Sequence, residues 1–81
     1  MQAIQFQRIQ TVATLSGLSR STIYRRIKQN LFTKPIPIGG ERVGWLSSEV
    51  DAINKARVSG KTDEEIKLLV AKLEAARGAM S

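Results

Sequence analysis

The chain has 81 residues, with 13 Lys and Arg against 7 Asp and Glu, a formal charge of +6, and neither cysteine nor histidine. At that size it makes one domain burying only about 60–65% of its unfolded surface, so its margin of stability is small. The absent Cys and His exclude a disulfide framework and leave a zinc site to carboxylates alone, so no cofactor or metal is expected.

Val12 and Leu15 are three apart and predict a short helix from about Gln10 to Ser16, with both on its inner face. Gly17 is suited to the left-handed conformation that ends a helix, and Leu18 is placed to drop into the core behind it. Ser19 is a good N-cap for a second helix whose buried stripe is Ile23 and Ile27. Two short helices joined in this way read as a helix-turn-helix, the arrangement that lays its second helix in a DNA major groove.

At about 100° per residue, the second helix turns Ser21, Thr22, Arg25, Lys28 and Gln29 outward, with Arg20, Tyr24 and Arg26 on the flanks. Short hydroxyl side chains near the helix start suit base edges or phosphates, which the helix dipole also favours there. Arg25 has the fork geometry for a guanine edge or a phosphate, and Lys28 suits a phosphate. The competing reading of this face is a solvated polar helix surface.

Thr33 to Ile38 then reads as an extended segment, because Pro35 and Pro37 forbid a helix interior and suit an edge strand. Gly39-Gly40 predicts a two-residue hairpin loop, with Glu41 to Trp45 returning as the second strand. That loop would pair Ile38 with Glu41, Ile36 with Val43 and Lys34 with Trp45, directing Ile36, Val43 and Trp45 toward the helices. Arg42 then projects near the tip, where a hairpin acting as a wing reaches an adjacent minor groove; Lys34 lies at its base. A hairpin that only covers the core is the alternative.

Ser47 or Ser48 is placed to cap a third helix, from Glu49 to about Arg57, with Val50 and Ile53 inward. Ser59-Gly60 breaks it. Thr62 and Glu65 form a capping box for a fourth helix running to about Arg77, with Ile66, Leu69, Val70, Leu73 and Ala76 as its apolar stripe and Leu68 off that stripe. This helix is expected to fold back on its own domain, with pairing to another copy or a partner as the alternative. The boundaries expected are a winged helix-turn-helix domain over 1–58, and a linker with a C-terminal amphipathic helix over 59–81.

The charge is unevenly placed. Residues 1–48 hold seven cations (Arg8, Arg20, Arg25, Arg26, Lys28, Lys34, Arg42) against Glu41, a net +6, whereas residues 49–81 hold six cations and six anions, a net zero. The excess therefore lies on the segment that reads as a DNA reader. No general acid or base stands out for catalysis, and a tyrosine recombinase would need a much larger scaffold around Tyr24 and the arginines, so the chain is not expected to be an enzyme. A lone tyrosine and no aromatic-lined sheet argue against an RNA stacking platform. No apolar run approaches the roughly 20 residues of a membrane span and no secretory signal is visible, so a cytoplasmic, nucleoid-associated chain is expected.

Gly17-Leu-Ser-Arg-Ser-Thr-Ile-Tyr-Arg25, then Phe32 with Lys34-Pro-Ile36, Gly39-Gly40, Val43-Gly-Trp45 and Ser48-Glu-Val50 together resemble the AlpA family of phage and prophage regulators. The resemblance covers roughly residues 8–57. It implies a mainly α fold with a small β-hairpin, a winged helix-turn-helix related to the MerR and excisionase folds. It also implies transcriptional regulation of an integrase gene, or a recombination directionality factor that binds and bends attachment-site DNA, with integrase and self-association on DNA as the expected partnerships. The implied DNA-reading positions are Ser19 to Arg25 and the wing from Gly39 to Arg42. Gln10-Thr11 departs from the Pro-Glu pair the family often places at the start of the first helix. The rival class is a protein-interaction module, adaptor or antitoxin-like, working through the fourth helix.

Overall fold

The computed structural model describes residues 4–80, with the side chains of residues 79 and 80 left aside. In chain order these residues form β1 (Phe6–Gln7), α1 (Ile9–Ser16), α2 (Arg20–Lys28), β2 (Ile36–Gly39), β3 (Arg42–Leu46), α3 (Ser47–Val58) and α4 (Asp63–Ala76), closed by a 3₁₀ turn over Arg77–Met80. The fold is mainly α with a small antiparallel sheet, as a winged helix-turn-helix requires.

Local chemistry sets most of the boundaries. Gly17 ends α1 with φ 71°, and its N–H reaches the Ala13 carbonyl. The Ser19 Oγ caps α2 by accepting from the Thr22 N–H at 3.2 Å. At the other end Asn30 takes φ 60°, and the Asn30 and Leu31 N–H groups return to the carbonyls of Ile27 and Arg26. That is a Schellman ending, built on one of the few non-glycine residues that tolerate the left-handed region. Gly60, at φ 78°, ends α3 in the same manner, with the Lys61 N–H donating to the Ala56 carbonyl. The Thr62–Glu65 capping box is formed in full.

Three local expectations are corrected. Leu15 is 52% exposed, because the inner side of α1 is carried by Ile9, Val12 and Ala13 and the short helix leaves Leu15 on its rim. Neither Ser47 nor Ser48 caps α3; the helix follows β3 without a loop, Leu46 occupies the cap position, and the Ser47 N–H donates to the Gln5 carbonyl at 2.9 Å. Ala76 is exposed, since α4 ends there and the chain tightens into the 3₁₀ turn.

The sheet order is β1-β3-β2, so the hairpin has an added strand at its inner edge, pairing Phe6 with Leu46 and Gln7 with Trp45. The hairpin register also differs from expectation. Ile36 pairs with Gly44, Pro37 with Val43 and Gly39 with Arg42, leaving Ile38 as an extra residue in β2. Gly39 takes φ 130° inside the strand and Gly40 takes φ 57° in the turn, so the bend moves one residue onward to Gly40-Glu41. Because side chains alternate across a strand, this shift puts Ile36 on the face opposite Val43 and Trp45. On that outer face Gly44 is closely covered: a Cβ there would lie a tight 3.3 Å from the Gln7 carbonyl oxygen and 3.4 Å from both Ile38 and Phe6.

Val12, Ile23, Leu31, Phe32, Trp45, Val50, Ile53, Ala56, Ile66 and Val70 form one buried cluster, with Leu18, Ile27, Val43, Leu69 and Leu73 packed on it. The fourth helix thus folds back onto the others, and complete burial of Ile66 and Val70 contributes on the order of 3–6 kcal/mol before the cost of ordering the helix. Trp45 is fully buried and its Nε1 donates to the Thr33 carbonyl at 2.9 Å, so the indole is core.

Candidate nucleic-acid interface

The helix-turn-helix is held from behind. Ile23, fully buried, anchors α2, and the Asn54 amide of α3 donates to the Leu15 carbonyl at the exposed end of α1. With Ile23 inward, Ser21, Arg25, Lys28 and Gln29 stand exposed on the opposite side of α2, and Thr22 is half-buried at its rim.

The start of this face is a small hydroxyl network. The Ser19 Oγ donates to the Thr22 Oγ1 at 2.8 Å and lies 3.3 Å from the Ser21 Oγ, beside the free N–H groups of the first turn. The far end is cationic. Arg25, Arg26 and Lys28 occupy the last turn, where the helix dipole favours positive charge.

The two flanks of α2 have different surroundings. Tyr24 is 43% exposed and meets Trp45 edge to face, ring centroids 6.1 Å apart, which ties α2 to β3. Arg20, one turn earlier, shares that flank. Arg26 lies on the other flank, half-buried in a groove lined by Leu15, Leu18, Phe32, Ile53 and Val58. The structure therefore gathers Ser21, Arg25, Lys28 and Gln29 on one surface, sets Tyr24 against the hairpin, and holds Arg26 apart.

The hairpin supplies the second element. Arg42 is exposed as the first residue of β3, opposite Gly39 and next to the turn, with exposed Glu41 beside it. The Lys34 side chain is exposed at the hairpin base, while its backbone is held by Glu74 of α4 and Arg77 of the 3₁₀ turn.

Electrostatics separates the two halves of the chain. In residues 49–81, five of the six cations are ion-paired: Lys55 with Asp51, Arg57 with Asp63, Lys61 with Glu65, Lys67 with Glu64, and Arg77 with Glu49. Lys72 is the sixth. Among the described residues, none of the seven cations of residues 1–48 has such a partner. The positive field of the protein therefore belongs to the helix-turn-helix and the hairpin.

Sequence reasoning missed two groups. Arg8 precedes α1 as an exposed, unpaired cation, visible in the charge count but assigned no role. Glu74 and Arg77 converge on the Lys34 backbone from 40 and 43 positions away, with Arg77 held in turn by Glu49, and no local pattern marks them. Among the described residues there is no His, Cys, Asp and Glu cluster fit to hold a metal ion, and no helix long and apolar enough to cross a membrane.

Comparison with known proteins adds the family. Residues 5–57 match the profile of the prophage CP4-57 regulatory protein (AlpA) family, a span that takes in β1, the helix-turn-helix, the hairpin and nearly all of α3. Over 57 residues the chain is 44% identical to an uncharacterized protein, ORF88, of Enterobacteria phage P4, a match covering 70% of this chain and 65% of that protein. No solved structure matches the chain. The residues that build the exposed helix face and the hairpin lie inside the matched span, and the chain belongs to the AlpA family of prophage regulatory proteins.

Proposed function

We propose that this protein is a sequence-reading DNA-binding regulator of a phage or integrated element, with α2 as the reading helix and the β2–β3 hairpin as a wing. The observation that carries the reading is the segregation of unpaired cations onto those elements, beside an exposed hydroxyl cluster at the α2 start. In this reading Ser21, Thr22 and Arg25 reach base edges, while Arg20, Lys28, Gln29 and Lys34 reach phosphates. Arg42 enters the neighbouring minor groove. Tyr24 and Arg26 act from the flanks of the same helix. The protein acts in the cytoplasm, at the nucleoid, by binding and without catalysis of its own.

Within that class we assign it to the control of integrase, as a recombination directionality factor at the attachment site, a regulator of the integrase promoter, or both. Integrase and further copies of the chain on DNA are its proposed partners. Footprinting over the element's attachment site and integrase promoter tests this. Adjacent attachment sites filled cooperatively support the directionality role, and protection confined to the promoter supports transcriptional regulation. Protection no better than on random DNA overturns both.

A second reading, protein interaction through α4, is favoured by Leu68, 73% exposed on a helix whose other large apolar side chains are packed inward. Leu68→Asp that abolishes function while leaving DNA affinity intact would move the activity there.

A further inference from the structure

The seven residues between α2 and β2 fix how the hairpin stands against the reading helix, and the chain is gripped at their end. The Thr33 carbonyl accepts from the Trp45 Nε1. The two peptide units that flank the Lys34 Cα are both held: in the first the Lys34 N–H donates to the Glu74 Oε2 at 2.8 Å, and in the second the Lys34 carbonyl accepts from the Arg77 Nη2 at 2.7 Å. Pro35 follows with its φ locked, and β2 begins at Ile36. The strand's departure angle is therefore set where Glu74 and Arg77 hold the backbone.

Arg77 is itself fixed. Its Nε and Nη2 donate to the two oxygens of Glu49 at 2.8 and 2.7 Å, a fork-to-fork pair. Glu49 is 1% exposed, in the first turn of α3, and a carboxylate buried that deeply requires such a partner. Donation to Glu49 raises the Arg77 pKa above its ordinary value, so the guanidinium is charged throughout the working range. One guanidinium thus joins α3, the 3₁₀ turn and the root of the hairpin. Lys34 and Glu49 lie within the family-matched span, whereas Glu74 and Arg77 lie beyond residue 57.

We propose that the C-terminal turn is a brace that sets the angle of the wing to the reading helix, with Arg77 as a positioning residue for the DNA contact. Its consequence for DNA rests on the function proposed above; its mechanical content does not.

The test uses the full chain carrying Glu49→Gln with Arg77→Met, which removes the grip without leaving a buried charge unpaired. Glu74→Ala is the second variant, losing only the hold on the Lys34 N–H. In the free wild-type protein, residual dipolar couplings of the α2 and β2–β3 amides should fit one common frame. The brace predicts that in both variants the hairpin needs a frame of its own, and one shared frame in both overturns it. On DNA, the variants should keep the protections made by α2, lose those made by the wing, and shed about 0.9 of salt slope for the Arg42 contact. A purely stabilising role predicts instead that both variants lose stability yet keep the complete footprint while folded. Wild-type protein that protects no DNA overturns the proposed function and leaves the coupling result to decide the brace.

Discussion

Replacing Arg42 by alanine separates a wing that touches DNA from one that only covers the core. Five unpaired cations stand on or beside the proposed face: Arg20, Arg25 and Lys28 on α2, Lys34 at the hairpin root, and Arg42 near the tip. If each displaces one counterion, log K falls with log salt at a slope of about −4.5, which is about a 500-fold loss between about 50 and 200 mM. Arg42→Ala should lower that slope to about −3.6, so its binding deficit shrinks about 3.5-fold across the same range. Fluorescence anisotropy on a labelled duplex at four salt concentrations reads both quantities. Lys72→Ala is the control, since Lys72 is likewise unpaired but sits on α4, in a groove with Leu68 and Leu69. Equal slopes for Arg42→Ala and the wild type would refute the wing contact. A slope for Lys72→Ala as low as that of Arg42→Ala would refute the claim that the charge acts locally.

Arg25→Ala should cost about 1–3 kcal/mol of DNA affinity and relax preference at one base position, as read by competition with substituted sites; uniform weakening would make Arg25 a phosphate contact. Trp45→Phe strands the buried Thr33 carbonyl that the indole N–H satisfies, and urea unfolding followed by circular dichroism should show a loss of about 1–3 kcal/mol. Hydrogen bonds from the Thr62 backbone and hydroxyl hold Glu65 below the ordinary carboxylate range. Because the folded value lies below the unfolded one, its contribution is complete above the ordinary range and is lost as pH falls through the folded value. Carbon-detected titration should find the Glu65 midpoint depressed, and Thr62→Val should bring it part of the way back.

The parts of the molecule legible in the sequence are those decided by neighbours a few positions apart. Gly17, Ser19 and Ile23 specify α1, the turn and α2 through a left-handed ending, a hydroxyl cap and one buried anchor, and the outward face follows from helical geometry. Thr62 and Glu65 mark α4 for the same reason. The hairpin was half legible: the prolines and glycines announce it, but two adjacent glycines admit two turn frames. Only the backbone shows that Gly39 is used in the bulge, turning Ile36 to the outer face. Strand β1 was invisible, since two residues carry no periodicity and their partners lie some 40 positions away. The Glu49–Arg77 pair is hidden similarly: a charge beside Val50 reads as solvated until the chain returns 28 residues later to cover it. In the candidate site, spacing places the side chains on α2, Arg26 on a flank apart from Arg25 included, whereas the groove that α1 and α3 close around Arg26 depends on distant residues.

DNA binding through α2 and the hairpin is tested most simply by titrating isotope-labelled protein with a short DNA duplex at low salt, following every backbone amide by NMR. Shifts should concentrate over Ser19–Gln29 and Gly39–Arg42, with the exposed side of α4 unchanged. Shifts centred on α4, or spread evenly over the protein, would contradict it.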